Sequence, residues 1–290
     1  MRLNYIIVFG LIAASCAVEQ AGPGYEAVGQ LHLPGGAWEP VAVAVGAEGR
    51  VYVADASEHS AIQVFSAEGL YLGGFGGPGE AAGDTLVPWD VAVGPDEAIY
   101  VAEFGTRRLS VFDPSGSLQR IVGVGDLVAP FGVAAARDGN IYAADPEAKG
   151  VFQFSPEGKL LGPATTDPRL ARGWDVAAGA NGRLAAATPE AVFVWRGAGE
   201  EPRSIPLGTE NATVPYEVAF GPEGELFVLA RKTSAGETEE PYLFRFTRGG
   251  RLREEIELDL TSPTGLAVAP DGTIYVADGP RRTVKKYRPR

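Results

Sequence analysis

The stretch "GTIYVADG" (residues 272–279) reads as a short strand running into a turn, and the chain repeats it. Close copies stand as "GRVYVADA" at 49, "EAIYVAEF" at 97 and "GNIYAADP" at 139. Worn copies follow as "GRLAAATP" at 182 and "GELFVLAR" at 224. The six starts are 48, 42, 43, 42 and 48 residues apart. A period in the forties made of alternating strand patterns predicts propeller blades, each able to bury its faces only against its neighbours. No stretch beyond residue 24 sustains a 3.6-residue apolar period. The expected fold class is therefore all-β: a six-bladed β-propeller.

Each repeat divides into four strands. In the second they are "WDVAVG" (89–94), "AIYVAE" (98–103), "RLSVFD" (108–113) and "LQRIVG" (118–123). The turns after the first strands are short and uniform ("AEG", "PDE", "RDG", "ANG", "PEG", "PDG"), with Asp, Asn and Gly to supply positive φ. The sixth repeat runs out after three strands, whereas "YEAVGQLHL" (25–33) belongs to no repeat. The expectation is that this N-terminal strand completes the last blade and closes the ring, giving one domain over 25–290 and leaving no open seam.

With 45 % hydrophobic and 21 % charged residues, the 290-residue chain can bury a core. A net charge of −12 repels phosphate backbones, so nucleic acid is not an expected partner. The first sixteen residues, "MRLNYIIVFGLIAASC", combine Arg2, a short apolar run from Ile6 to Ile12, and small residues before Cys16, the single cysteine. This resembles the bacterial lipoprotein signal. The resemblance implies a signal peptide over 1–15, lipidation of Cys16 as the membrane anchor, a linker over 16–24 and a place on the cell envelope. Ala17, where an inner-membrane lipoprotein commonly has Asp, points to the outer membrane.

The stretch "FGGPGEAAGDTLVPWDVAVGPDEAIYVAEFGTRRLSVFDPSG" (75–116) resembles an NHL repeat. It has the glycine-rich lead-in, Pro, the turn of "PDG" type, "IYVAD" and an Arg-bearing turn. The resemblance implies the six-bladed fold and no particular activity. It also implies that Glu103 and Arg108 form a structural ion pair across a turn.

Turns after the first and third strands of a blade share one rim, here plain. Turns after the second and fourth share the opposite rim, where the links 76–87 and 230–241 hold the length irregularities. Variable loops on a rigid scaffold are where binding resides. The first strands begin on that variable rim with Trp89-Asp90, Phe131-Gly132, Trp174-Asp175 and Tyr216-Glu217. As a ligand-binding set, Trp89, Asp90, Phe131, Trp174, Asp175, Tyr216 and Glu217 suit a sugar, a cationic amine or a basic peptide side chain. The competing reading has the rings filling gaps between blades and the acids solvated.

Two histidines, His32 and His59, are too few for a multi-histidine metal site, and no catalytic constellation is evident. Calcium held by carboxylates alone stays open, with Asp175 and Glu217 on adjacent blades and Asp90 farther off. The function expected is a monomeric, lipid-anchored binding, scaffold or sensor module for a protein, peptide or glycan. The alternative is a metal-dependent envelope hydrolase or lyase resembling the six-bladed lactonases. A third reading, RNA binding through the basic pairs at 107–108, 231–232 and 281–282, runs against export and the acidic balance.

Overall fold

The computed structural model describes residues 24–35, 38–197, 200–207, 213–233 and 239–290; the signal segment and Cys16 lie outside them. The described residues form six four-stranded antiparallel sheets. β1 (Tyr25–Leu31) stands apart from the first blade. Blade one is β2 (Pro40–Val45), β3 (Val51–Asp55), β4 (Ala61–Phe65) and β5 (Tyr71–Gly76). Blade two is β6 (Pro88–Val93), β7 (Ile99–Glu103), β8 (Arg108–Phe112) and β9 (Leu118–Val122). Blade three is β10 (Gly132–Ala135), β11 (Ile141–Asp145), β12 (Gly150–Phe154) and β13 (Leu160–Pro163). Blade four is β14 (Asp175–Ala178), β15 (Arg183–Ala187), β16 (Val192–Arg196) and β17 (Arg203–Ile205). Blade five is β18 (Thr213–Phe220), β19 (Leu226–Thr233), β20 (Glu239–Phe246) and β21 (Leu252–Glu257). Blade six is β22 (Pro263–Val268), β23 (Ile274–Asp278) and β24 (Thr283–Pro289). The first strands of successive blades touch in order round the axis, and β22 returns to β2. The chain is a six-bladed β-propeller, as its period predicts.

The repeated "IYVAD" strands lie between two neighbouring blades, so both their faces are covered. Every residue of β3, β7, β11 and β23 is buried. That is why these strands read as continuous apolar runs with small Ala and Val. The core is a set of slabs between blades: Val43 and Val53 of blade one pack with Ala267 and Tyr275 of blade six. Phe227 and Leu243 of blade five pack with Leu266 and Val276 of blade six. Outer strands such as β9 alternate between exposed and covered residues, as a half-solvated strand does.

Ring closure follows the strand count. β1 pairs antiparallel with β24 from Tyr25 opposite Pro289 to Leu31 opposite Val284, with a bulge between Ala27 and Gly29. It ends at Leu31, two residues short of the expected stretch. Tyr25 meets Phe227 edge-on at 6.2 Å. The strand starts at the plain rim, since its partner Pro289 abuts Gly272 in the turn after β22.

On that rim each turn after a first strand closes on itself. In blade one, Gly46 N donates to Arg50 O and Gly49 N to Gly46 O, both at 2.9 Å. Gly49 holds φ +80°, and Glu97, which replaces the glycine in blade two, is forced to +61°.

The variable rim is held differently, by buried acids at the ends of the second strands. Asp145 accepts from Val128 N at 2.7 Å, Ala129 N at 3.0 Å and Ala148 N at 2.9 Å. It thereby ties the link entering the blade to the turn leaving β11. Asp55 holds Glu39 N and Ser57 N, and Asp278 holds Thr261 N and Arg281 N, in the same way. In blade two the longer Glu103 takes Thr106 Oγ1 at 2.6 Å, Leu86 N at 3.4 Å and the hydroxyl of Ser110.

Blades four and five depart from this pattern. Thr188 fills the acid's place in blade four and binds only its own turn, through Ala191. Blade five has Ala230 there, and nothing stops the strand. β19 runs on to Thr233 and pairs through Arg231 opposite Pro241 to Thr233 opposite Glu239. The link 230–241, expected as a loop, is therefore mostly an extended hairpin; its tip at 234–238 lies outside the described residues.

Asp145→Ala would leave three N–H groups without their acceptor. We expect it to cost about 3 kcal/mol or more in urea unfolding. Thr188→Ala, with one small acceptor lost, is expected to cost about 1 kcal/mol. Equal losses for the two variants would overturn the role assigned to the acid.

Candidate functional site

Four first strands carry a proline and then a register shift, at Pro40/Ala42, Pro88/Asp90, Pro215/Glu217 and Pro263/Gly265; the proline opens the strand in three of them and is the third residue of β18. The extra residue of each shift is Val41, Trp89, Tyr216 or Thr264. A bulge re-aims the side chain it carries, and here it turns these residues toward the mouth of the channel. Phe131 and Trp174 precede β10 and β14 at the same height, donating backbone N–H to Ala144 O and Ala187 O at 2.9 Å. Together these residues wall a cavity of about 420 Å³, with Val214, Arg231 and Glu239 of the blade-five hairpin on one side.

Trp89 opens to solvent, whereas Tyr216 also packs on the apolar slab between blades five and six with its hydroxyl buried. Trp89 is 40 % exposed, and Phe131, Trp174 and Tyr216 are half-buried. Trp89 lies 5.1 Å from Phe131 and 6.0 Å from Phe104, and Phe104 meets Phe131 edge-on at 5.7 Å. Phe104 is an addition the sequence reading missed. Its signal is an exposed aromatic directly after the buried acid, where the other blades carry Ala56, Pro146 or Gly279. Arg231 is a second addition. Its guanidinium sits 5.3 Å over the Tyr216 ring and donates to Ser262 Oγ at 2.9 Å, with Glu239 at 4.0 Å.

Beneath the bowl the channel narrows between the first strands, and Asp90, Asp175 and Glu217 all line it. Two of them join blades. Asp90 Oδ2 accepts from Val133 N of blade three at 2.7 Å, and its Oδ1 from Val91 N at 2.7 Å. Asp175 repeats this two blades on, with Val218 N of blade five at 2.8 Å and Val176 N at 2.6 Å. The equivalent position of the blade between them is glycine for a steric reason: a methyl group at Gly132 would lie 2.8 Å from Asp175 Cα. Glu217 lines both bowl and channel. The acids are not freely solvated. Desolvation pushes the Asp90 carboxyl up to about 7, although its two N–H donors pull the other way. Asp175 is raised well above the carboxylate range, by desolvation and then by Asp90. Glu217 is raised likewise, by desolvation and then by Asp175 and Asp90.

The pair Glu103–Arg108 lies in blade two, with Arg108 Nε 3.3 Å from Glu103 Oε2. Arg108 also donates to the carbonyls of Glu80, Ala81 and Asp84 at 3.2–3.3 Å, clamping the long link 76–87. Among the described residues no three His, Cys, Asp or Glu side chains converge as a metal's ligands would. Asp90 and Asp175 each place both oxygens on backbone N–H donors. His32 is exposed just after β1, and His59 is exposed in the turn between β3 and β4; neither lines the bowl.

Raised folded-state values mean that the native protein holds more protons than the unfolded chain between about pH 4 and pH 7. The stability so gained is complete below the unfolded value and is lost as pH rises through the folded one. We expect the melting temperature to fall across that window. Glu217→Gln keeps the shape and removes one charge, so it should raise the melting temperature at pH 8 by about 2–4 °C and flatten the fall. An E217Q profile that overlays the parent's would sink this account of the channel.

The NHL repeat family model matches residues 38–65 and 260–287, in blades one and six. No curated protein matches the chain. Among solved structures, a streptogramin B lyase superposes with a TM-score of 0.65 at 12 % identity, over 92 % of this chain and 98 % of that one. A catalytically inactive virginiamycin B lyase from Staphylococcus aureus with quinupristin gives 0.64 at 13 % identity, over 91 % and 99 %. The WD40 β-propeller domain of Doa1 gives 0.62 at 12 % identity, over 91 % and 97 %. At these identities the likeness is one of fold, and a fold does not fix a function. What the chain shares with them is a β-propeller, and its own first and last blades carry the NHL repeat pattern.

Proposed function

We propose that this propeller is a binding module of the bacterial cell envelope, tethered through a lipidated Cys16, that takes a protein, peptide or glycan ligand in the aromatic bowl. The observation that carries the reading is the bowl itself. Trp89, Phe131, Trp174 and Tyr216 present ring faces around a cavity of about 420 Å³ with the Glu217 carboxylate at its floor. Rings gathered over an acid whose proton affinity is raised favour a partly apolar group that carries many hydroxyls, or a positive charge that holds Glu217 ionised. The Arg231 guanidinium over Tyr216 is an intramolecular instance of that preference.

The hydrolase or lyase alternative receives less support. The inactive virginiamycin lyase carries a histidine-to-alanine change, whereas both histidines of this chain stand outside the bowl. The tether reading rests on the first sixteen residues. It is compatible with the point where β1 begins, because a chain arriving at the plain rim leaves the bowl facing away from the anchor.

Two measurements test the two halves of the proposal. Basic-peptide and glycan arrays should give ligands whose affinity falls about tenfold or more in Trp89→Ala and Trp174→Ala. The melting temperature of these variants should stay within about 2–3 °C of the parent's. If the arrays give no ligand, or both variants unfold, the bowl is not the site. For the tether, Cys16→Ala should move the protein from the membrane pellet of bacterial cells to the soluble fraction; a variant still in the pellet refutes it.

A further inference from the structure

On the plain rim, opposite the bowl, four arginines meet at the junction of blades four and five. Three of them share one face of blade four by register. Arg183 lies directly opposite Arg196, while Ala185 is opposite Val194 and Val194 opposite Arg203. Side chains two apart on a strand share a face, so Arg183, Arg196 and Arg203 stand with Ala185 and Val194. Those two pack against Val228 and Phe244 of blade five. Arg248 joins them from the turn after β20. The four line a groove of about 660 Å³.

Two turn glycines, Gly224 and Gly250, lie beside the arginines. Arg183 Nη1 donates to Gly224 O at 3.0 Å, and its guanidinium lies 5.2 Å over the Phe220 ring. A methyl group at Gly224 would sit 3.7 Å from Arg248 Cδ, and one at Gly250 would sit 3.4 Å from Arg203 Nη2. Arg183 is only 6 % exposed, and the remaining three are exposed.

Like charges placed directly opposite each other on paired strands are destabilising, and among the described residues no ion pair relieves any of the four. Glu200 and Glu201 also line the groove, yet neither closes on an arginine of the set. Burial lowers the Arg183 pKa, and Arg196, Arg248 and Arg203 lower it further. In a chain of net charge −12, this is a local field of the opposite sign. Four arginines against two glutamates leave the groove an excess of positive charge, which draws a counter-ion to it.

We infer that the groove formed by Arg183, Arg196, Arg203 and Arg248 is a phosphate-binding site. Planar guanidinium forks match the oxygens of a phosphate group pairwise, and an oxyanion among four cations turns their repulsion into attraction. The phosphate is either free in solution or part of a lipid headgroup. The groove and the start of β1 share the plain rim, so a lipid tether would hold the groove toward a bilayer. That last point rests on the anchor proposed above, whereas the groove itself does not.

The test uses the purified protein and a triple variant, Arg196→Gln, Arg203→Gln and Arg248→Gln. These three side chains are exposed, and Arg183 with its backbone bond is left in place. Two probes are titrated at fixed ionic strength: inorganic phosphate, and phosphatidylcholine vesicles with and without phosphatidylglycerol. The parent should bind a phosphate probe, with chloride unable to replace it, and the triple variant should lose about tenfold or more in affinity. The variant's melting temperature without ligand should be equal to or above the parent's, since repulsion is removed. Binding of inorganic phosphate identifies a soluble ligand; binding of phosphatidylglycerol vesicles alone identifies the headgroup. Failure of the parent to bind either probe, or undiminished binding by the folded triple variant, overturns the site. The bowl variants Trp89→Ala and Trp174→Ala should bind phosphate as the parent does, which separates this site from the one on the opposite rim.

Discussion

A carboxylate at the end of a blade's second strand, buried to the point of complete exclusion from solvent, is the interaction that shapes the variable rim. Asp55, Glu103, Asp145 and Asp278 are each 0 % exposed, and each gathers hydrogen-bond donors from segments that have no ladder partner. A buried N–H without an acceptor is costly, so the irregular links can cross the top of a blade only where such an acceptor waits. Where it is present, strands stop and links turn sharply. Where it is absent, as at Ala230, the ladder itself takes over and the sheet grows into a wall beside the bowl. The shape of the binding face follows from the presence or absence of one oxygen pair per blade.

The axis shows the same economy with opposite stakes. Asp90 and Asp175 each join their blade to the next through a backbone N–H, and each sits one period from its partner. These joints are placed where water is scarce, so three acids share one narrow channel and raise one another's proton affinity. Joining blades with carboxylates therefore loads the floor of the bowl with electrostatic tension. At the far rim the arginines of blades four and five carry tension of the other sign. Both ends of the molecule are poised to gain from an ion of opposite charge, cation above and anion below.

The ring was legible in the sequence because second strands lie between two blades and must be apolar on both faces, which prints the same six-residue phrase at each turn of the chain. Closure by residues 25–31 was legible by counting strands. The bowl was legible through proline, which marks each bulge and hence the residue thrown toward the axis. The blade-five hairpin was not: "ARKTSAGETEEP" has no apolar alternation, and its strands are held by register with β18 more than by a buried face. Phe104 was hidden because a single exposed ring in a turn resembles any surface residue. The two interblade acids looked like free charges, since only coordinates reveal that Val133 N and Val218 N point at them. The arginine groove was hidden for a further reason. Its members are scattered along the chain, and cross-strand register alone makes them neighbours.

The closing strand has a mechanical consequence. β1, seven residues long, lies antiparallel to β24 and begins at the plain rim. A pull on the preceding residues, opposed by something held in the bowl, acts along the strand and not across it. The ladder bonds are then strained together in shear, and none can be unzipped ahead of the others. The edge burial of Tyr25 against Phe227 adds friction at the point where the load arrives. Joining the ring with the first strand thus arranges its seam to withstand tension applied along that strand.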